Sequence, residues 1–128
     1  MRVSSFLLAL LSALPATAQD AARGAATFQH HCATCHGVAA DGAGPMAAVL
    51  TVPPTDLTRL AAGGAFPTIR VVMRIDGRDA LVAHGSPMPL FGQLYDRQDT
   101  TILAPDGTPV LTSRDIADLV AHLVAVQQ

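Results

Sequence analysis

Apolar positions in this chain fall into stretches with different periods, and each period predicts a different element. The first stretch, Phe6 to Leu14, is a short and nearly unbroken apolar run between Arg2 and Pro15-Ala16-Thr17-Ala18. A helix that crosses a bilayer needs about 20 apolar residues, so this run predicts a cleavable secretory leader over residues 1–18, ending at a small-residue site. No cysteine follows the cleavage point, which leaves a lipid anchor without an attachment residue. From Asp20 to His31 the chain is rich in Ala, with Phe28 four residues after Gly24, and reads as a helix. Pro67 to Asp76 reads as another, with Ile69, Val72 and Met73 on one face and Gly77 as its stop. Met46 begins a short apolar stretch through Leu50 that predicts core. Near the end, Ile116, Leu119, Val120, Leu123 and Val124 trace one face of an amphipathic helix. Ser113 or Thr112 is its expected N-cap, with Asp115 and Asp118 near the positive end of the helix. Between the last two helices, Ile102 to Leu111 alternates about Asp106-Gly107, which predicts a small hairpin with a two-residue turn. Pro105 and Pro109 restrict it to an edge ribbon.

Residues 19–128 are enough for one domain and too few for two. Beyond the leader the only aromatics are Phe28, Phe66, Phe91 and Tyr95, and there is no Trp. So few large side chains leave the middle of the domain to be filled by something else. The full chain carries a formal charge of −2, and loss of Arg2 with the leader makes the processed chain one unit more acidic. That balance argues against nucleic acid as a partner. Lys and Glu are both absent, and no function follows from that.

The chemistry is concentrated in Cys32-Ala33-Thr34-Cys35-His36. Two cysteines three apart with a histidine after the second put three side chains near one face of a single helical turn. Each thiol can reach a porphyrin vinyl group, and the adjacent His36 can present its Nε2 to the iron; this is the c-type haem attachment pattern. A closed zinc site needs four ligands, and no second Cys pair or His pair completes one. A thiol-disulfide exchanger using Cys32 and Cys35 is the sharper alternative, but it wants the pair after a strand in a βαβ unit. A structural disulfide here would close a tiny loop and stabilise little. A haem sensor or enzyme with an open sixth position is a further alternative.

Candidates for the face opposite His36 are Met46, Met73 and Met88, with His30, His31, His84 and His122 behind them. Met88 stands out because Pro87 and Pro89 flank it and hold the segment extended, which gives its side chain a fixed direction.

With these residues in view, the chain resembles the class I c-type cytochromes, small monohaem electron carriers, over nearly all of residues 19–128. The resemblance rests on Cys32-Ala33-Thr34-Cys35-His36 and on Met88-Pro89 after a glycine-containing loop. It implies an all-α, cytochrome c-like fold in which the N- and C-terminal helices cross at Gly24 and Phe28, elaborated here by the hairpin. It implies one covalent haem c on Cys32 and Cys35, with iron held between His36 and Met88. Such a protein is an electron carrier and not an enzyme, periplasmic, without stable membrane insertion, working with redox protein partners either alone or as a subunit of a larger oxidoreductase. The resemblance also points to the Pro45 carbonyl as acceptor for the second nitrogen of His36, since a metal-bound His usually donates there. It makes Pro53-Pro54-Thr55-Asp56-Leu57 the loop over the haem edge, with Leu50 and Leu57 packing on the ring. Relatives often carry an aromatic near the position of His122, which here reads as a surface histidine. Arg70, Arg74 and Arg78 recur every four residues and read as a solvated basic stripe, with docking or propionate binding as the alternatives. Residues 93–111 read as a surface elaboration.

Overall fold

The computed structural model describes residues 19–79, 86–92 and 97–128. The leader expected over residues 1–18, and with it His84 and Tyr95, lies outside the described residues. In chain order the elements are α1 (Ala21–His31), α2 (Ala33–His36), α3 (Thr68–Asp76), β1 (Thr100–Leu103), β2 (Pro109–Thr112) and α4 (Arg114–Ala125). Short 3-10 turns at Ala47–Val49 and Leu57–Arg59 lie between α2 and α3.

Asp20 starts α1 because its side chain accepts from the free amides of Ala22 and Arg23, at 3.0 and 3.1 Å. Ser113 starts α4 in the same way, accepting from Ile116 N–H at 3.2 Å. The two helices pack directly against each other. Gly24 is what permits the approach, since a Cβ there would run into the backbone carbonyl of Asp118. Phe28, Ile116, Leu119, Val120 and Leu123 are buried beside it. Val124, expected on the same face, is 49% exposed. It sits at the edge of the apolar arc, where a helix of this curvature turns back to solvent.

Asp118 is more than a dipole partner. It is 2% exposed, and its carboxylate accepts from Arg23 Nε at 2.9 Å, Arg23 Nη2 at 2.6 Å and Asp20 N–H at 2.6 Å. A buried carboxylate is tolerable when its lone pairs are taken up in this way. The effect is to tie the start of α1 to the middle of α4.

α3 ends at Gly77, which adopts a left-handed φ of 87°. Its buried positions are Thr68, Val71, Val72 and Ile75. The apolar face is therefore rotated from the one the spacing suggested: Ile69 is 38% exposed and Met73 only partly covered. Met46, expected in the core, is 41% exposed, because its N–H is drawn to the Thr34 carbonyl (3.0 Å) on the outside of the α2 turn.

The hairpin forms with Ile102 opposite Val110, both buried, and β1 lies against α4. Its connection has three residues and not two: Gly107 N–H donates to the Ala104 carbonyl at 2.8 Å, and Ala104 N–H donates to Thr108 at 2.9 Å. Pro105 takes the first turn position, which its fixed φ suits, and Gly107 takes the left-handed third (φ 85°).

Candidate functional site

α1 runs into α2 through Cys32, whose N–H donates to Phe28 while its own carbonyl accepts from Cys35 at 3.1 Å and His36 at 2.9 Å. Cys32, Cys35 and His36 thus share one helical turn, and all three line a cavity of about 450 Å³. Cys32 and Cys35 are free thiols, not a disulfide. Burial pushes the Cys32 thiol up to about 11, with repulsion from Cys35 adding to the shift. Exchange enzymes need the opposite, a thiol whose pKa is lowered into the thiolate range.

His36 Nδ1 lies 3.0 Å from the carbonyl oxygen of Thr55. A carbonyl can only accept, so Nδ1 is the donor here, and in the neutral tautomer that makes this bond the lone pair is on Nε2. The partner is Thr55 and not Pro45, and the reason is the path of the loops. Gly44 N–H and Met46 N–H donate to the Cys35 and Thr34 carbonyls, at 3.1 and 3.0 Å, which commits the segment around Pro45 to the α2 backbone. The Pro53-Pro54 segment meanwhile packs on Gly42, and Leu57 N–H donates to Ala40 at 2.8 Å. Thr55 is thereby brought to the ring.

Met88 lines the same cavity as the cysteines and His36. Its segment is fixed to α3: Phe91 N–H donates to the Ile75 carbonyl at 2.9 Å, and Gly92 sits so close to the Asp76 carbonyl that a Cβ would collide with it. Ser86 Oγ accepts from Met88 N–H at 3.2 Å. Leu50 and Leu57 also line the cavity, whereas Met46 and Met73 do not. Of the histidines, His31 is at the wall, its ring 5.9 Å from Phe91, and His30 is exposed.

Residues just past α4 tie down the segment that carries Leu57 and Leu60, both of which line the cavity. The Gln127 carboxamide accepts from Ala61 N–H at 2.9 Å and donates to the Leu57 and Leu123 carbonyls at 2.7 Å, while Gln128 N–H donates to Thr58 at 2.9 Å.

His122 corrects another expectation. It is partly buried and packs on Phe28, ring centroids 5.2 Å apart, with its Nε2 covered and without a hydrogen-bond partner among the described residues. Burial lowers its pKa.

The family model described as Cytochrome c matches residues 21–127. The chain belongs to the cytochrome c family. No curated protein and no solved structure matched it in the same comparisons. Membership in the cytochrome c family implies covalently bound haem c and haem-based electron transfer, and such proteins are typically electron carriers rather than enzymes. The site fits that cofactor on its own terms. Its volume lies within the ~300–1,000 Å³ usual for cofactor sites, its walls are mainly aliphatic and aromatic, and two thiols and an imidazole lie along one edge. Cytochrome c domains are usually periplasmic or extracellular. Among the described residues no helix is long and apolar enough to cross a membrane.

Proposed function

We propose that this cytochrome c carries single electrons between redox proteins of the periplasm, using one haem c joined to Cys32 and Cys35, with the iron between His36 and Met88. The observation that carries the reading is that the Cys32–His36 turn and the Met88 segment, far apart in sequence, line one largely apolar cavity. Haem c supplies an iron that alternates between two oxidation states one electron apart. The chain's own residues supply the rest. Cys32 and Cys35 fix the ring edge, and the Thr55 carbonyl orients His36 so that Nε2 is available. Pro87 and Pro89 restrict the backbone that presents Met88, whose neutral thioether favours the reduced form and raises the potential. If His36 and Met88 both held the iron, no position would be left there for a substrate, and the chain would act as a carrier.

The test is a spectrum of the mature protein. One haem per chain whose colour survives denaturation is the expected result. A colourless protein with two titratable thiols would overturn the reading in favour of exchange chemistry, against which the raised pKa of Cys32 already speaks.

A further inference from the structure

We propose that the outer edge of β1 pairs antiparallel with the same edge of a second copy of this chain, joining two hairpins into one four-stranded sheet. The bonds at the hairpin turn decide which backbone groups face outward. Ala104 N–H donates to the Thr108 carbonyl at 2.9 Å, so these two residues form a hydrogen-bonded pair. In an antiparallel ladder such pairs alternate with pairs whose N–H and C=O groups point away from the neighbouring strand. Ile102 is opposite Val110 and Thr100 opposite Thr112. The outward residues are therefore Thr101 and Leu103 on β1, and Pro109 and Leu111 on β2.

The two edges are finished differently. On β2, Pro109 has no N–H to offer, and the Leu111 carbonyl accepts from Arg78 Nη2 at 2.8 Å. Arg78, expected on a solvated stripe, is thus spent on the hairpin and on Asp76. On β1 no such device is present: Thr100–Leu103 holds no charge and no proline, and among the described residues nothing bonds to the outward groups of Thr101 and Leu103. Both side chains are exposed, Leu103 to 70%. Folded chains usually blunt such an edge with Lys, Pro or a bulge, because an open one is a template for another strand.

The strand that fits is β1 itself. With Thr101 of one copy opposite Leu103 of the other, about a two-fold axis at Ile102, every outward group of both edges is used, and each pair exchanges two hydrogen bonds. Sliding the register by two residues brings Pro105 opposite Thr101, or sets Asp99 against Leu103. Charge favours the same register. It carries the exposed Arg97 of each copy alongside the turn of the other, where Asp106 is exposed, and it opposes no like charges. Since the β2 edge is closed, the sheet ends at two copies and does not grow into a filament. No residue from 97 to 112 lines the cavity, so pairing does not draw on the haem site.

The experiment is sedimentation of the mature protein from micromolar to millimolar concentration, for the wild type, Leu103→Pro, Leu103→Lys, Arg97→Asp, Asp106→Arg and the last two combined. The wild type should pass from monomer to dimer and no further, and amide exchange at Thr101 and Leu103 should slow as the dimer forms. Leu103→Pro removes an outward N–H without touching a bond inside the hairpin, and should raise the dissociation constant by about tenfold or more. If that variant does not fold, Leu103→Lys must weaken the dimer in the same sense, by placing a charge on the edge. Arg97→Asp and Asp106→Arg should each weaken it and the double variant should recover it, because the exchange restores the pair across the axis. A protein monomeric at every concentration would overturn the proposal. So would a dimer indifferent to both Leu103 variants, a double variant without recovery, or assembly beyond two copies. Failure of the haem reading is separate and shows as absence of covalent haem from the wild type.

Discussion

The α1–α4 contact and the cavity share residues of the same two helices, yet they are completed by different means. At the contact, Gly24 meets the Asp118 backbone, Phe28 is 1% exposed, and the one buried carboxylate has Arg23 and Asp20 N–H as partners. Nothing outside the chain is needed to finish it. Around the cavity, Leu119, Leu123, Val71 and Ile75 offer apolar surface to an open volume, and the opposite side comes from segments such as Val52-Pro53 and Pro87-Met88-Pro89. Those segments are loops held by hydrogen bonds such as Leu57 N–H to Ala40, Gln127 to the Leu57 carbonyl and Phe91 N–H to Ile75. The first region is stabilised by packing already made. The second, whose side chains also belong to the core, has further apolar contacts to make with what binds there, and a ligand that binds the folded state and not the unfolded one stabilises it.

Substitutions can break this contrast from either side. Gly24→Val should have the largest effect on folding, ~3 kcal/mol or more, because the new side chain must displace backbone and not a flexible side chain. Guanidinium unfolding of the holoprotein measures it, and a loss below ~1 kcal/mol would mean that the helices part easily and that the contact is not self-sufficient. Met88→Ala should behave in the opposite sense. Its potential is expected to fall by more than ~59 mV, the reduced protein should bind carbon monoxide, and its unfolding midpoint should move less than that of Gly24→Val. An unaltered potential would take the axial role from Met88.

His122→Phe should give the smallest change, visible only in acid. Unfolded, His122 titrates near the ordinary ~6.5; folded, burial against Phe28 lowers that value. Between the two values the unfolded chain takes up a proton that the folded chain refuses, so stability is full above ~6.5 and falls as pH drops through that window. Thermal melts at pH values on both sides of the window should converge in the Phe variant. A slope equal to that of the wild type would place the acid sensitivity elsewhere. Because the imidazole is only partly covered, this effect ranks last.

What could be read from the sequence follows the same division. Periodicity located α1, α3 and α4, because each buries one stripe and exposes another. The Cys32–His36 turn could be singled out since its chemical groups lie within five residues, and Met88 since the prolines beside it restrict the backbone locally; that both line one cavity is what the fold adds. Features that depend on how distant segments meet were not legible. Thr55 in place of Pro45 at His36 is set by the routing of two loops past Gly42. The burial of Asp118 depends on Arg23, far away in the chain, and an Asp in an amphipathic helix reads as solvent-facing. Ile69 and Val124 fell on the wrong side because period alone places a stripe only to within about a residue's width. The Asp106-Gly107 signal found the hairpin but not the third turn residue.

The Gln127 carboxamide has a consequence for the order of assembly. It joins the Leu57–Ala61 wall to the end of α4, and it lies later in the chain than every described residue that lines the cavity. A chain emerging amino end first therefore offers Cys32 and Cys35 while that wall is still unlatched.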